Sequence, residues 1–219
     1  MKIRHRLGLA MLLGLATACS FAEPPPGRPG PSPKGKKMDA QEIVTLVEKN
    51  ELSELSWPTG RAHQALAAIP EAKARLRTLA VDPARGWEVR FKALEAFFAL
   101  GGKLATDEER QQAARTYAEA IEKAREHNPF ELPGAIRSGL ASKNLLALGA
   151  DAALPALRPL FKSQRLLVYE GSEEPTLARL RKYRVADLAG ALAAALLGRP
   201  FPAEAVTPKE RDEALQRLE

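Results

Sequence analysis

The chain has one cysteine among 219 residues, so neither an intramolecular disulfide nor a cysteine-based zinc site is open to it. Histidine is almost as scarce. Beyond His5 there are only His63 and His127, far apart and without His-Glu-x-x-His spacing, so structural roles fit both and no metal ligand set is assigned. Aromatic residues make up 5% of the chain, and sheet-forming types are sparse beside the abundant Ala, Leu, Arg and Glu. These four lose little conformational freedom on a helical backbone, and the composition is that of helices.

Long hydrophobic runs are also missing. The nearest approach, Leu188 to Leu197, is about half of the roughly 20 residues that a spanning helix needs. An excess of one charge is missing too, once the charges are located. The chain has 33 Lys and Arg against 27 Asp and Glu, but Lys2, Arg4, Arg6, Arg28, Lys34, Lys36 and Lys37 precede residue 38 with Glu23 as the one acid among them. From Met38 onward 26 basic residues face 26 acidic ones. A neutral domain lacks the electrostatic footprint of phosphate binding, so nucleic acid is not an expected partner.

Catalytic motifs are absent in the same way. Gly101-Gly102-Lys103 has Phe97 where a phosphate loop has its first glycine and Leu104 where it has a hydroxyl, and it reads as a helix end. Ser138-Gly139 lacks the first glycine of a nucleophile elbow. No catalytic residue is assigned from motifs.

What is present begins with an address. Lys2, Arg4 and Arg6 precede an apolar run from Leu7 to Ala16, and Ala16-Thr17-Ala18 satisfies the small-x-small rule of secretory cleavage after Ala18. Ala16-Thr17-Ala18-Cys19 resembles the lipobox of bacterial lipoproteins, with Ala16 where that family usually has Leu. The only cysteine then falls at the first mature position, directly before a tether. The resemblance implies residues 1–18 as signal peptide and Cys19 as the lipid attachment point, with a covalent lipid as the one cofactor. Several acyl chains on one residue amount to stable anchoring. Ser20 after the cysteine implies the outer membrane of a diderm bacterium, and ordinary secretion or a periplasmic location is the alternative. The stretch from Ser20 to Lys37, rich in Pro, Gly and Lys, has almost nothing to bury and reads as an extended spacer.

From Met38 to Glu219 the pattern is a single all-α domain. Asp39 with Glu42, Thr106 with Glu109, and Thr207-Pro208 with Glu210 are helix starts; Pro70 and Pro155 sit near others; Gly101, Gly149 and Gly198 close apolar-periodic stretches. Trp87, Phe91, Leu94 and Phe98 share one helical face, as do Ala113, Tyr117, Ala120, Ile121 and Ala124, and Val185, Leu188, Ala189, Leu192 and Leu196.

The chain also resembles itself. Ala65-Leu66, Leu76, Leu79, Val89-Arg90 and Leu100-Gly101 have counterparts in Ala147-Leu148-Gly149, Leu154, Leu157, Arg184-Val185 and Leu197-Gly198. These residues look like HEAT-type repeats, which implies an irregular short stack of antiparallel helix pairs, a HEAT-like solenoid, with an insertion from Ser163 to Lys182 in the second copy. That insertion carries an acidic loop, Glu170, Glu173 and Glu174, between two basic clusters. It reads either as a solvated segment with locally balanced charge or as a recognition loop on a binding face.

The functional expectation is a membrane-anchored lipoprotein whose helices bind an envelope protein or peptide, as scaffold, assembly factor or inhibitor. The alternative is an envelope hydrolase or polysaccharide-modifying enzyme with carboxylates gathered by the fold, such as Glu95, Glu119 or Asp187. A plain structural spacer is a third.

Overall fold

The computed structural model describes residues 40–171, 173–205 and 207–219; the signal segment, Ala18, Cys19, the tether and the Asp39 cap lie outside the described residues. The helices are α1 (Ala40–Lys49), α2 (Leu52–Ser56), α3 (Arg61–Ala67), α4 (Ala72–Val81), α5 (Trp87–Ala99), α6 (Asp107–Lys123), α7 (Leu140–Ala147), α8 (Ala150–Leu157), α9 (Glu174–Arg181), α10 (Val185–Leu196) and α11 (Pro208–Gln216). Short 3-10 turns occupy Asn128–Phe130 and Arg158–Lys162. Among the described residues there is no strand, only one antiparallel bridge between Leu166 and Arg184, and the fold is all-α. No described helix is long and apolar enough to cross a membrane.

Local chemistry sets the helix ends. Glu109 N–H donates to Thr106 Oγ1 and Thr106 N–H to the Glu109 carboxylate, both at 3.2 Å, so the capping box at the start of α6 is formed as read. Gly101 and Gly198 sit at φ 73° and 63° and close α5 and α10 in the same way. Gly101 N–H donates to Phe98 O and Gly102 N–H to Phe97 O; Gly198 N–H donates to Ala195 O and Arg199 N–H to Ala194 O. This doubled bonding is the Schellman arrangement, which needs a left-handed residue at that place. Two helix-start readings need correction. Thr207 stands at the N-cap of α11 but its side chain makes no cap bond. Pro155 lies inside α8, not at its start, and the helix tightens into the 3-10 turn soon after, as expected where a missing N–H leaves a carbonyl one turn back unbonded.

The core follows the apolar stripes. Ala113, Tyr117, Ala120, Ile121 and Ala124 are all buried, and every residue of α10 from Val185 to Ala194 is buried on all sides. Such a helix belongs at the centre of the domain. α10 packs against α6, α7, α8, α11 and the 158–162 turn, while α6 packs against α4, α5, α7, α8 and α10. Gly190 marks the tightest approach. A Cβ there would come within 2.5 Å of Leu215 and 2.7 Å of Phe201, which accounts for glycine in a helix interior where it otherwise weakens the helix. The two self-similar stretches become α3–α4–α5 and α7–α8–α10, with the insertion, including α9, between the last two.

Candidate functional site

The end of α6 is built from contacts far apart in sequence. The last carbonyls of a helix lack partners in the next turn, and at this end those of Ile121, Glu122 and Ala124 are met by side chains. The Arg165 guanidinium donates to Glu122 O and Ala124 O, and His127 Nε2–H donates to Ile121 O at 3.0 Å. Nδ1 of the same imidazole accepts Val168 N–H at 3.1 Å, while the His127 backbone N–H donates to Val168 O at 2.8 Å. Burial pushes the His127 pKa down, in keeping with a neutral ring that donates from Nε2 and accepts at Nδ1. At the next residue, the Asn128 side chain donates from Nδ2 to Glu170 O at 2.7 Å and accepts Glu170 N–H on Oδ1 at 2.8 Å. The main chain of the insertion is therefore clipped at Val168 and Glu170 to His127 and Asn128, just past the end of α6.

Beside this clip lies a groove of ≈ 590 Å³ between α2, the first turns of α5, the end of α6 and the 128–130 turn. That volume is in the range of sites that take a small molecule or a few side chains. Leu52, Trp87, Phe91, Ala124 and Pro129 form its apolar lining. The floor is stiff, because the Phe91 ring stacks on Phe130 at 5.7 Å and meets Tyr117 edge-on at 5.8 Å. Trp87, at the first position of α5, is only half-buried. Glu88, Lys92, Lys123, Arg125 and Glu126 form the rim. Lys92 pairs with Glu88 at 3.2 Å, and Lys123 pairs with Glu119 at 2.7 Å.

The acidic loop divides in two. The Glu170 carboxyl meets that of Glu126, whose pKa is raised by partial loss of hydration and by the neighbouring Glu170 and Glu51. Glu173 and Glu174 instead take the N-terminus of α9, where negative charge is favoured by the helix dipole. The flanking cations find partners elsewhere. Arg165 caps α6, Arg181 pairs with Glu204 and Arg184 with Asp187 and Asp212, and no ion pair among the described residues joins these cations to Glu170, Glu173 or Glu174.

Glu95, Glu119 and Asp187 are not brought together. Glu95 is fully buried, accepting from Tyr117 Oη and, at 3.1 and 3.2 Å, from Asn144 Nδ2. Burial pushes its pKa up to about 7. Glu119 is half-buried between Arg90 and Lys123, which hold its pKa down. Asp187 is buried against Arg184 and Arg211. Each sits in its own bonding network, and none lines the groove. His63 Nδ1 lies 3.1 Å from Leu55 O, a bond within the core like those of His127, and no group of three ligand-type side chains able to hold a metal occurs among the described residues.

No protein-family model matches the chain, and neither a curated protein nor a solved structure does.

Proposed function

We propose that the chain is a lipoprotein of the cell envelope, held by a lipid on Cys19 at the outer membrane of a diderm bacterium, and that its helical domain binds an extended segment of another envelope protein in the groove beside Trp87. The observation that carries the binding role is the groove itself. It has a rigid aromatic floor, a half-exposed tryptophan and a charged rim, the arrangement in which a buried anchor residue supplies most of the affinity and surrounding polar contacts supply register. The HEAT-like relation between α3–α5 and α7–α10 supports the same reading, because stacked helices of that kind present binding faces.

The anchor and the groove are tested separately. Replacing Cys19 with Ala is expected to abolish incorporation of labelled palmitate and to release the protein from membranes; persistence of both would refute the anchor. For the groove, a photo-reactive residue is placed at Glu88 on the rim, or at Lys209 on α11 as a control. The Glu88 position is expected to trap one defined species in the native cell, and Trp87→Ala is expected to remove it. Equal trapping from Lys209, or trapping that survives Trp87→Ala, would sink the groove as the binding face.

A further inference from the structure

His127 is fully buried at the joint between α6 and the insertion, and both of its ring nitrogens are engaged. Nε2–H donates to Ile121 O while Nδ1 accepts Val168 N–H. Only a neutral imidazole does both, because the protonated ring is a donor at each nitrogen. Among the described residues, every backbone hydrogen bond of Val168 and Glu170 goes to His127 or Asn128, and the pair at Asn128 is open to water. Between them the Tyr169 ring lies 6.1 Å from the imidazole, and its hydroxyl donates to Glu131 O at 2.9 Å. The segment 168–170 is thus fastened to 127–131. The preceding stretch is tied elsewhere: Leu167 N–H donates to Tyr183 O at 2.9 Å and Val185 N–H to Arg165 O at 2.8 Å, and neither bond involves the ring.

A proton taken from solvent onto Nδ1 turns that acceptor into a donor facing Val168 N–H. Val168 O also lies 3.1 Å from Nδ1, but it already accepts the His127 backbone N–H. Loss of hydration is the largest influence on the ring and opposes the proton; bonds to Ile121 O and Val168 O and the field of Glu122 favour it, the Arg165 guanidinium opposes it, and the balance is against the charge. Arg125 and Glu126 before the ring, Glu131 after the turn and Glu170 on the insertion are exposed or half-buried, where water screens them.

We propose that His127 is an acid-operated latch: its protonation frees 168–170 from the end of α6, uncovering Tyr169 beside the already exposed Leu166 and Val168, while the ties of Arg165 and Leu167 to 183–185 hold. The device is independent of the groove and of the anchor. Its sign follows from the ring being harder to protonate when latched than when free. The latch is complete above the ordinary histidine value of 6.5 and weakens as pH falls below it, by about tenfold in the open population per pH unit until the latched ring itself takes a proton.

The test is amide hydrogen exchange of the full-length chain, read by NMR at His127, Val168 and Glu170 and at Leu188 and Leu192 of α10, with rates corrected for the intrinsic effect of pH. Protection at the first three is expected to fall by at least about tenfold between pH 7.5 and 4.5 while that of α10 holds. His127→Gln keeps a donor and an acceptor without the charge and is expected to make protection at Val168 and Glu170 flat over this range. Should that variant not fold, the carbon-13-labelled His127 ring of the unaltered chain gives the same answer: it is expected to titrate below 6.5, with Val168 exchange following it. Loosening by acid also sets the latch apart from Glu126 and Glu170, whose protonation would relieve their mutual repulsion and tighten the segment. Protection that is flat with pH in the unaltered chain, a loss shared equally by α10, an acid effect that survives His127→Gln, or a ring that titrates at or above 6.5 would each overturn the proposal.

Discussion

Arg211→Met is expected to destabilise the protein by about 3 to 5 kcal/mol, enough to unfold the C-terminal part of the domain first. Arg211 is fully buried, and its guanidinium is shared among three elements. Nη1 donates to Ala205 O at 2.6 Å and Nη2 to Arg181 O at 2.8 Å, while Nε lies 3.2 Å from Asp187 Oδ2 and the group covers the Tyr183 ring at 5.3 Å from its centroid. Asp187 would keep Arg184, whose Nη2 donates to it at 2.8 Å, so the loss is not that of an isolated buried charge. Two part-buried carbonyls would still lose charged donors, and such bonds contribute about 1.5 to 3 kcal/mol each. The shape of methionine fills most of the volume, which separates bonding from cavity formation. Urea unfolding gives the magnitude, and hydrogen exchange in α11 gives the place. A loss below about 1 kcal/mol would show that Arg211 does not pin α11 to the end of α9.

Arg211 also shows what the sequence leaves unreadable. In Pro208–Gln216 it is one charge among several on a short polar helix, and nothing local distinguishes it from Lys209 or Arg217, which are exposed. Its role is non-local. The helix ends were readable where the left-handed residue is glycine, at Gly101, Gly149 and Gly198, each with positive φ. α9 escaped because its left-handed terminal residue is Lys182, at φ 51°, and no glycine announces it. The groove escaped for a related reason. It draws on residues near 52, 87–92 and 123–129, all ordinary helix-end types in their own neighbourhoods. Trp87 reads as the start of a core stripe, yet in the first turn of α5 it stays half-exposed, while Ala93 and Phe97, outside that stripe, are buried. Periodicity identifies the face that turns inward but not how far along the helix neighbours extend to cover it.

Glu95→Gln is expected to stabilise the protein at high pH and to lose that advantage in acid. Glu95 joins three helices by taking bonds from Tyr117 on α6 and Asn144 on α7, and no cation contributes to its environment. Desolvation raises its pKa from 4.5 to about 7 against the smaller opposing effect of the two hydrogen bonds. A carboxyl whose pKa is raised on folding holds its proton more tightly in the native state than in the unfolded one. Its contribution is therefore fully present below pH 4.5, declines as pH rises toward 7, and is lost above that. A shift of that size corresponds to about 3 kcal/mol between the two limits. Glutamine carries no charge to desolvate and still accepts from Tyr117, and the half-buried Asn144 amide can turn its oxygen toward the new NH₂. The test is the stability difference between the variant and the unaltered chain, measured by urea unfolding at about pH 4, 6 and 8, so that all other titrating groups cancel. The difference is expected to move in favour of the variant by roughly 2 to 3 kcal/mol across that range, and a difference flat with pH would mean that Glu95 titrates as an ordinary carboxylate. Glu95→Leu provides the contrast. It also removes the charge but leaves the fully buried Tyr117 hydroxyl without its acceptor, so it should be destabilising by about 1 to 3 kcal/mol relative to glutamine at every pH. A carboxyl at this position is thus best understood as an acceptor that the three helices share, held at a cost in neutral solution that an amide would avoid.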